Sequence, residues 1–240
     1  MGRGVPVVSI DGKKKEFLGS LYRDGKLWVK AGGEHCELVR WDHDFPFLAE
    51  GKVVPFGVYD VAANSGVMVL GESGETARFA VASLRLWWAR RGRFDYPDAS
   101  ELLVLADSGG GCSYRSHLFK QQLQLFSERS GLAIRVAHFP PGCSKWNPIE
   151  HRLFPHVTRA MGGTVFETRE QVSRLMERAS TKAGLTVRAY VLPGDYPTGE
   201  KVPASYFECP PAIHDPVLGD FNYHLIPKDL WPDLEPYLTS

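Results

Sequence analysis

Asp11 closes one short apolar, β-branched run, Asp107 closes a second, and Glu150 falls in the first turn of a helix-like segment opened by Asn147 or Pro148. A carboxylate at a strand end faces the crevice outside the sheet while the strand fixes its position. Three such groups on three rigid elements can converge on hard divalent cations, which take oxygen ligands. The matching chemistry is in-line phosphoryl displacement. Two Mg²⁺ or Mn²⁺ ions about 3.5–4 Å apart would activate the attacking oxygen and stabilise the leaving one. Their charge would also offset the repulsion among clustered carboxylates. Taken singly, each residue has a plainer reading. A strand-end Asp is commonly a turn residue, and a Glu in a first helical turn favours the helix dipole. Asp42, Asp44 and Asp60 keep that plainer reading. The loop Asp107-Ser108-Gly109-Gly110-Gly111 has the glycines to approach a phosphate but lacks the Lys-Ser/Thr of a P-loop. No GxSxG nucleophile elbow is present.

The elements that must position these acids follow from periodicity. Residues 5–10 read as a strand, and residues 12–52 as a polar, Gly-punctuated insertion holding a short hairpin and a loop through Trp41 to Pro46. Residues 53–62 and 67–70, parted by Asn64-Ser65-Gly66, read as an antiparallel pair. Residues 76–91 carry apolar positions at helical spacing, with Ser73 a candidate N-cap and Gly92 a candidate stop. Residues 101–106 are almost continuously apolar, as in a strand buried on both faces. A helix over 114–129, a strand over 134–139 and the Glu150 helix follow. Pro155 is expected to kink or shorten that last helix. A helix over 169–183 and a strand over 185–191 come next, and after Pro193 little periodicity remains. The order predicts an α/β ribonuclease H-like mixed sheet flanked by helices. Residues 1–192 form its catalytic domain, and 193–240 an irregular extension packed on the core.

Composition narrows the class. The chain has 240 residues, 43% of them hydrophobic, enough for one sizeable core. No apolar run approaches membrane-spanning length and the N-terminus has no signal-peptide layout, so a cytoplasmic protein with no membrane partner is expected. Cys36, Cys112, Cys143 and Cys209 form no CxxC pair, which argues against a zinc ribbon or a disulfide framework. His35-Cys36 and Asp42-His43-Asp44 match no zinc spacing and read as surface loop. The 28 basic and 28 acidic residues balance, unlike a dedicated DNA-binding domain. Lys13-Lys14-Lys15 and Arg90-Arg91-Gly92-Arg93 are the local basic stretches.

The segment Cys143-Ser144-Lys145-Trp146-Asn147-Pro148-Ile149-Glu150-His151, preceded by His138-Phe139-Pro140-Pro141, resembles the block carrying the third acid of insertion-sequence transposases related to the Tc/mariner superfamily. More closely, the chain resembles the Rhodopirellula-type transposase DDE domain. Supporting stretches are Ser9-Ile10-Asp11-Gly12-Lys13-Lys14-Lys15-Glu16, Trp41-Asp42-His43-Asp44-Phe45-Pro46, Tyr96-Pro97-Asp98-Ala99 and Glu150-His151-Arg152-Leu153-Phe154. The resemblance implies a ribonuclease H-like core that cuts transposon ends and joins the freed 3′-hydroxyl to target DNA. It makes Asp11, Asp107 and Glu150 the first, second and third acids, holding two Mg²⁺ or Mn²⁺ ions. Lys13, Lys145, Trp146, Asn147, His151 and Arg152 lie beside those acids and are candidate DNA contacts, with Trp146 equally placed to be core.

The chain departs from the pattern at Gly12, where the family usually has Thr, and at Gly111-Cys112, where it usually has Ser-Asn. The resemblance further implies an N-terminal helix-turn-helix region in longer relatives, so the expectation is an N-terminally truncated form. Two alternatives stay open: an inactive remnant that at most dimerises or binds DNA weakly, and a general ribonuclease H-like nuclease. A homodimer is compatible with each.

Overall fold

A computed structural model describes residues 4–19, 51–207 and 212–229. His35, Cys36, residues 41–46 and most of the insertion expected at 12–52 lie outside those residues, as does Cys209.

The chain begins with β1 (Val7–Gly12) and β2 (Glu16–Leu18), then β3 (Gly51–Asp60) and β4 (Ser65–Gly71). Helix α1 (Ala77–Trp87) continues through a π-turn into the short α2 (Arg93–Asp95). Strand β5 (Glu101–Ala106), helix α3 (His117–Ser130) and strand β6 (Ala133–His138) follow. Helices α4 (Pro148–Arg152), α5 (Phe154–Met161) and α6 (Arg169–Met176) lead to β7 (Thr186–Val191), β8 (Ile213–His214) and β9 (Asn222–Leu225). The described strands form one mixed sheet in the order β7-β4-β3-β1-β5-β6-β9-β8, with β2 added onto β3. β1, β5 and β6 run parallel and β3 runs antiparallel to β1. This is the expected α/β architecture, a mixed sheet between helices in the ribonuclease H-like manner.

Two apolar clusters cover the two faces. Val8, Ile10, Phe56, Val58, Val104 and Val136 point toward α1 and α3. Tyr59, Met68 and Leu70 point toward α4, α5 and α6 through Ile149, Leu153, Phe154 and Val157. Burial on both sides explains the near-continuous apolar runs of the central strands. Successive side chains alternate across a strand, so Ser9 and Asp11 share the face opposite Val8 and Ile10.

Local chemistry sets the helix ends. Thr76, rather than the expected Ser73, caps α1 by accepting the Phe79 amide, and the helical path runs on through Gly92. A β-carbon at Gly92 would stand 2.3 Å from the Trp88 ring, so this glycine makes room for an aromatic side chain and does not end the helix. Pro155 divides the Glu150 segment as expected: α4 ends at Arg152, Leu153 leaves helical geometry, and α5 restarts with the proline in its first turn. Thr168 and Gln171 form a reciprocal capping box on α6, which is shorter than its apolar pattern suggested. The stretch after Pro193, expected to be irregular, also supplies β9, paired antiparallel with β6.

Gly111 lies directly under the start of α1, where an added β-carbon would be 2.8 Å from the Thr76 carbonyl carbon and oxygen. Backbone cannot retreat as a side-chain tip can. Gly111→Ala is therefore expected to lower unfolding stability by about 1–3 kcal/mol, measured by urea denaturation; an unchanged midpoint would count against this packing.

Candidate active site

Parallel pairing of β1 and β5 aligns Ile10 with Ala106, so the next residues, Asp11 and Asp107, emerge side by side at the carboxyl ends of adjacent strands. Glu150 reaches the same place from α4. The carboxyls of Asp11 and Glu150 are in hydrogen-bond contact, and Asp11 feels the charge of Asp107. The structure thus brings together the three acids singled out from spacing.

A closed set of buried hydrogen bonds fastens α4 to β1. Ser9 Oγ donates to Asn147 Oδ1, and the Ile149 amide donates to Ser9 Oγ at 3.0 Å. Asn147 Nδ2 donates to the Ile10 carbonyl at 3.1 Å. Asn147 stands at the helix N-cap position but makes no capping bond, because its side chain is committed to β1. Gly57, paired with Asp11, completes the fit: a β-carbon there would lie 2.6 Å from the Phe154 ring and 2.7 Å from Ile149.

The Asp107 loop is held from the other side. His138 Nδ1 donates to the Asp107 carbonyl at 2.8 Å, and Tyr223 on β9 donates its hydroxyl to His138 Nε2 at 3.0 Å. Burial, then the nearby Lys120 ammonium, lowers the His138 pKa to about 4, so the ring is neutral and this tautomer persists at ordinary pH. Ser108 Oγ donates to the Phe139 carbonyl. The Gly109 amide donates to Asp107 Oδ1 at 3.2 Å, and the Gly12 amide to Asp11 Oδ1 at 2.7 Å.

Burial dominates the electrostatics. It raises Asp11, helped by the Asp107 charge and then by Glu150, from 3.8 to about 8 against the opposing Gly12 amide. Asp107 is raised by burial and by Glu150, against the Gly109 amide. Glu75, just ahead of α1, is raised by burial and by Asp107, while the Gly111 amide and Lys15 oppose. Cys112 is a buried free thiol whose pKa burial and the surrounding acids push well above its usual value.

The flanking residues divide. Trp146 is 66% exposed, so it is not core, and the Lys145 ammonium lies 5.4 Å from its ring centroid. His151 and Arg152 are exposed, with His151 Nε2 bonded to the Lys145 carbonyl. Asn147 is 0% exposed, so the side chain expected at DNA belongs instead to the buried clamp. The Lys13 side chain is 9% exposed and paired with Glu16 at 2.6 Å, which turns it away from a free phosphate contact. Asp60 is a structural acceptor, taking the Tyr96 hydroxyl at 3.0 Å and the Ala63 amide at 2.8 Å. Reading the residues alone missed Ser9, Glu75, His138 and Tyr223 as parts of the site. His138 sat just ahead of the motif block, but nothing in the spacing tied Glu75 or Tyr223 to the acids.

The donor set fits hard divalent ions: every contributing side chain is a carboxylate, and none of the three forms an ion pair with a described residue. Among the described residues, no three His, Cys, Asp or Glu side chains already stand in a coordinating arrangement. No described helix is long and apolar enough to cross a membrane.

The mixed sheet flanked by helices, with acids at the ends of two adjacent parallel strands and on a following helix, places the chain in the ribonuclease H-like fold class. Within it, the family model described as the Rhodopirellula transposase DDE domain matches residues 1–227, and the chain belongs to that family. No curated protein and no solved structure matches it.

Two measurements check this geometry. Asn147→Ala leaves the Ile10 carbonyl and Ser9 without their partner and is expected to cost about 1–3 kcal/mol in urea unfolding. For Asp11 the folded-state pKa lies above the unfolded one, so its contribution to stability is complete at low pH and lost as pH rises through about 8. Metal-free protein should melt at falling temperature from weakly acidic to alkaline pH, and Asp11→Asn should flatten that slope. A slope identical in both proteins would show that Asp11 is not its source.

Proposed function

We propose that this chain is the catalytic domain of a DNA transposase, cutting and joining phosphodiester bonds with Asp11, Asp107 and Glu150 as ligands of two Mg²⁺ or Mn²⁺ ions. The observation that carries this reading is the meeting of three carboxylates from β1, the end of β5 and α4, with Asp11 in contact with Glu150 and in the field of Asp107. Membership of a transposase family supports this reaction class and DNA as the partner. When bound, two such ions activate an attacking oxygen and stabilise a leaving one.

The remaining work falls to the chain itself. The β-strands and the Ser9–Asn147 clamp hold the acids on fixed backbone, so coordination needs only side-chain movement. Exposed Lys145 and Arg152 meet phosphates next to Glu150, and Trp146 offers a flat face on which an unpaired base stacks. Water or a 3′-hydroxyl is the nucleophile, so no covalent protein intermediate forms.

Asp107→Asn is expected to abolish Mn²⁺- or Mg²⁺-dependent nicking and joining of DNA carrying the element's ends, in a gel assay with duplex DNA and an RNA–DNA hybrid side by side. Undiminished cleavage by the variant would exclude the assignment. Cleavage of hybrid without preference for element ends would favour a general nuclease.

A further inference from the structure

Glu75 approaches the acids from the α1 face of the sheet, opposite the side from which Glu150 arrives. Its position is defined by two glycines. A β-carbon on Gly12, the residue after Asp11, would lie 2.3 Å from the Glu75 Cδ and 2.4 and 2.6 Å from its two carboxylate oxygens. A β-carbon on Gly110, in the loop after Asp107, would lie 2.3 Å from Oε1. The carboxylate therefore occupies the space that side chains at both positions would fill, seated on the backbone beside Asp11 and Asp107. Gly110 also has φ +57°, a left-handed conformation suited to glycine, so side-chain volume and backbone geometry both favour glycine there.

A glutamate that only braced the fold would have its charge met by several donors, as Asp60 has, or by a cation in contact. Glu75 accepts from the Gly111 amide and Lys15 offsets part of its charge, but it forms no ion pair with a described residue and is placed beside Asp107. Partly buried negative charges gathered without a cation in direct contact are costly unless an ion neutralises them. Four carboxylates also carry the charge that two divalent cations balance. We infer that Glu75 is a fourth acidic ligand of the proposed metal centre, contacting an ion directly or through one water from the side opposite Glu150. The inference rests on the metal-dependent reading of Asp11, Asp107 and Glu150. It assigns Gly12 and Gly110 the task of leaving the carboxylate its seat.

The test is calorimetric titration of the full chain with Mn²⁺ alone, paired with thermal melting in EDTA and in Mn²⁺. Glu75→Gln should weaken Mn²⁺ binding by at least about tenfold while leaving the metal-free melting temperature unchanged or higher. Gly12→Ala, which displaces the carboxylate without removing it, should weaken Mn²⁺ binding in the same direction. A purely structural Glu75 would instead lower the metal-free melting temperature and leave Mn²⁺ affinity intact, and that result overturns the inference. Glu75→Asp, whose charge is drawn back by one methylene, gives a second measurement if the amide variant fails to fold: retained parental affinity refutes the inference, and loss supports it. Asp107→Asn separates the two levels. If it abolishes Mn²⁺ binding while Glu75→Gln does not, only the role of Glu75 fails; if Asp107→Asn also binds Mn²⁺ as the parent does, the metal centre itself is refuted.

Discussion

Ser9, Asn147, Ile149 and the Ile10 carbonyl form a small ring of buried hydrogen bonds between residues more than a hundred positions apart. Each polar group in it would be costly alone in an apolar layer, and each is satisfied only when α4 lies flat on β1. The ring is one residue from Asp11 on the strand and one from Glu150 on the helix. The distance between those acids is therefore set by backbone held on both sides, not by the acids themselves. That matters because like-charged carboxylates repel, and a site made of them must be assembled by something else. Gly57 serves the same end by letting Ile149 and Phe154 approach the strand beside Asp11.

Asp107 depends on a second and separate support. Its carbonyl accepts from His138, which accepts in turn from Tyr223 on β9. Burial keeps the imidazole neutral, so the bond direction does not reverse near neutral pH. The C-terminal segment thus takes part in aligning the second acid, through a strand added beside β6. The site is supported at three places by three kinds of contact: parallel pairing of β1 with β5, the polar ring under α4, and the histidine–tyrosine chain under the loop. The α1 start closes it on the remaining side, with Gly111 pressed against Thr76 and Glu75 lodged over Gly12 and Gly110.

Much of this was legible in the residues. Runs of β-branched and apolar positions marked every central strand, because strands buried on two faces need apolar side chains throughout. Asp11 and Asp107 stood out as the polar residues that end such runs, and Pro155 announced the break between α4 and α5. The motif around Asn147 and Glu150 carried the family. Less legible were the features that depend on three-dimensional neighbours. The helical passage through Gly92 depends on the Trp87 and Trp88 rings that fill the space beside it, and the start of α1 at Thr76 sits against Gly111. β9 lacks a strong alternating pattern, since most of its residues are buried, and its pairing partner lies far back in the chain.

The linear order of residues determined which elements form and which acids end them, since period and burial are written locally. Only the tertiary structure decided what each polar side chain near the site does. Asn147 looked like a DNA contact and is a buried clamp; Lys13 looked free and is paired; Trp146, equally placed to be core, is exposed. Glu75 had no distinguishing neighbourhood in the chain, and its place beside the acids comes from two glycines at distant positions that leave the same space empty. Exclusion of volume is a property of folded backbone, and no local pattern of residue types encodes it.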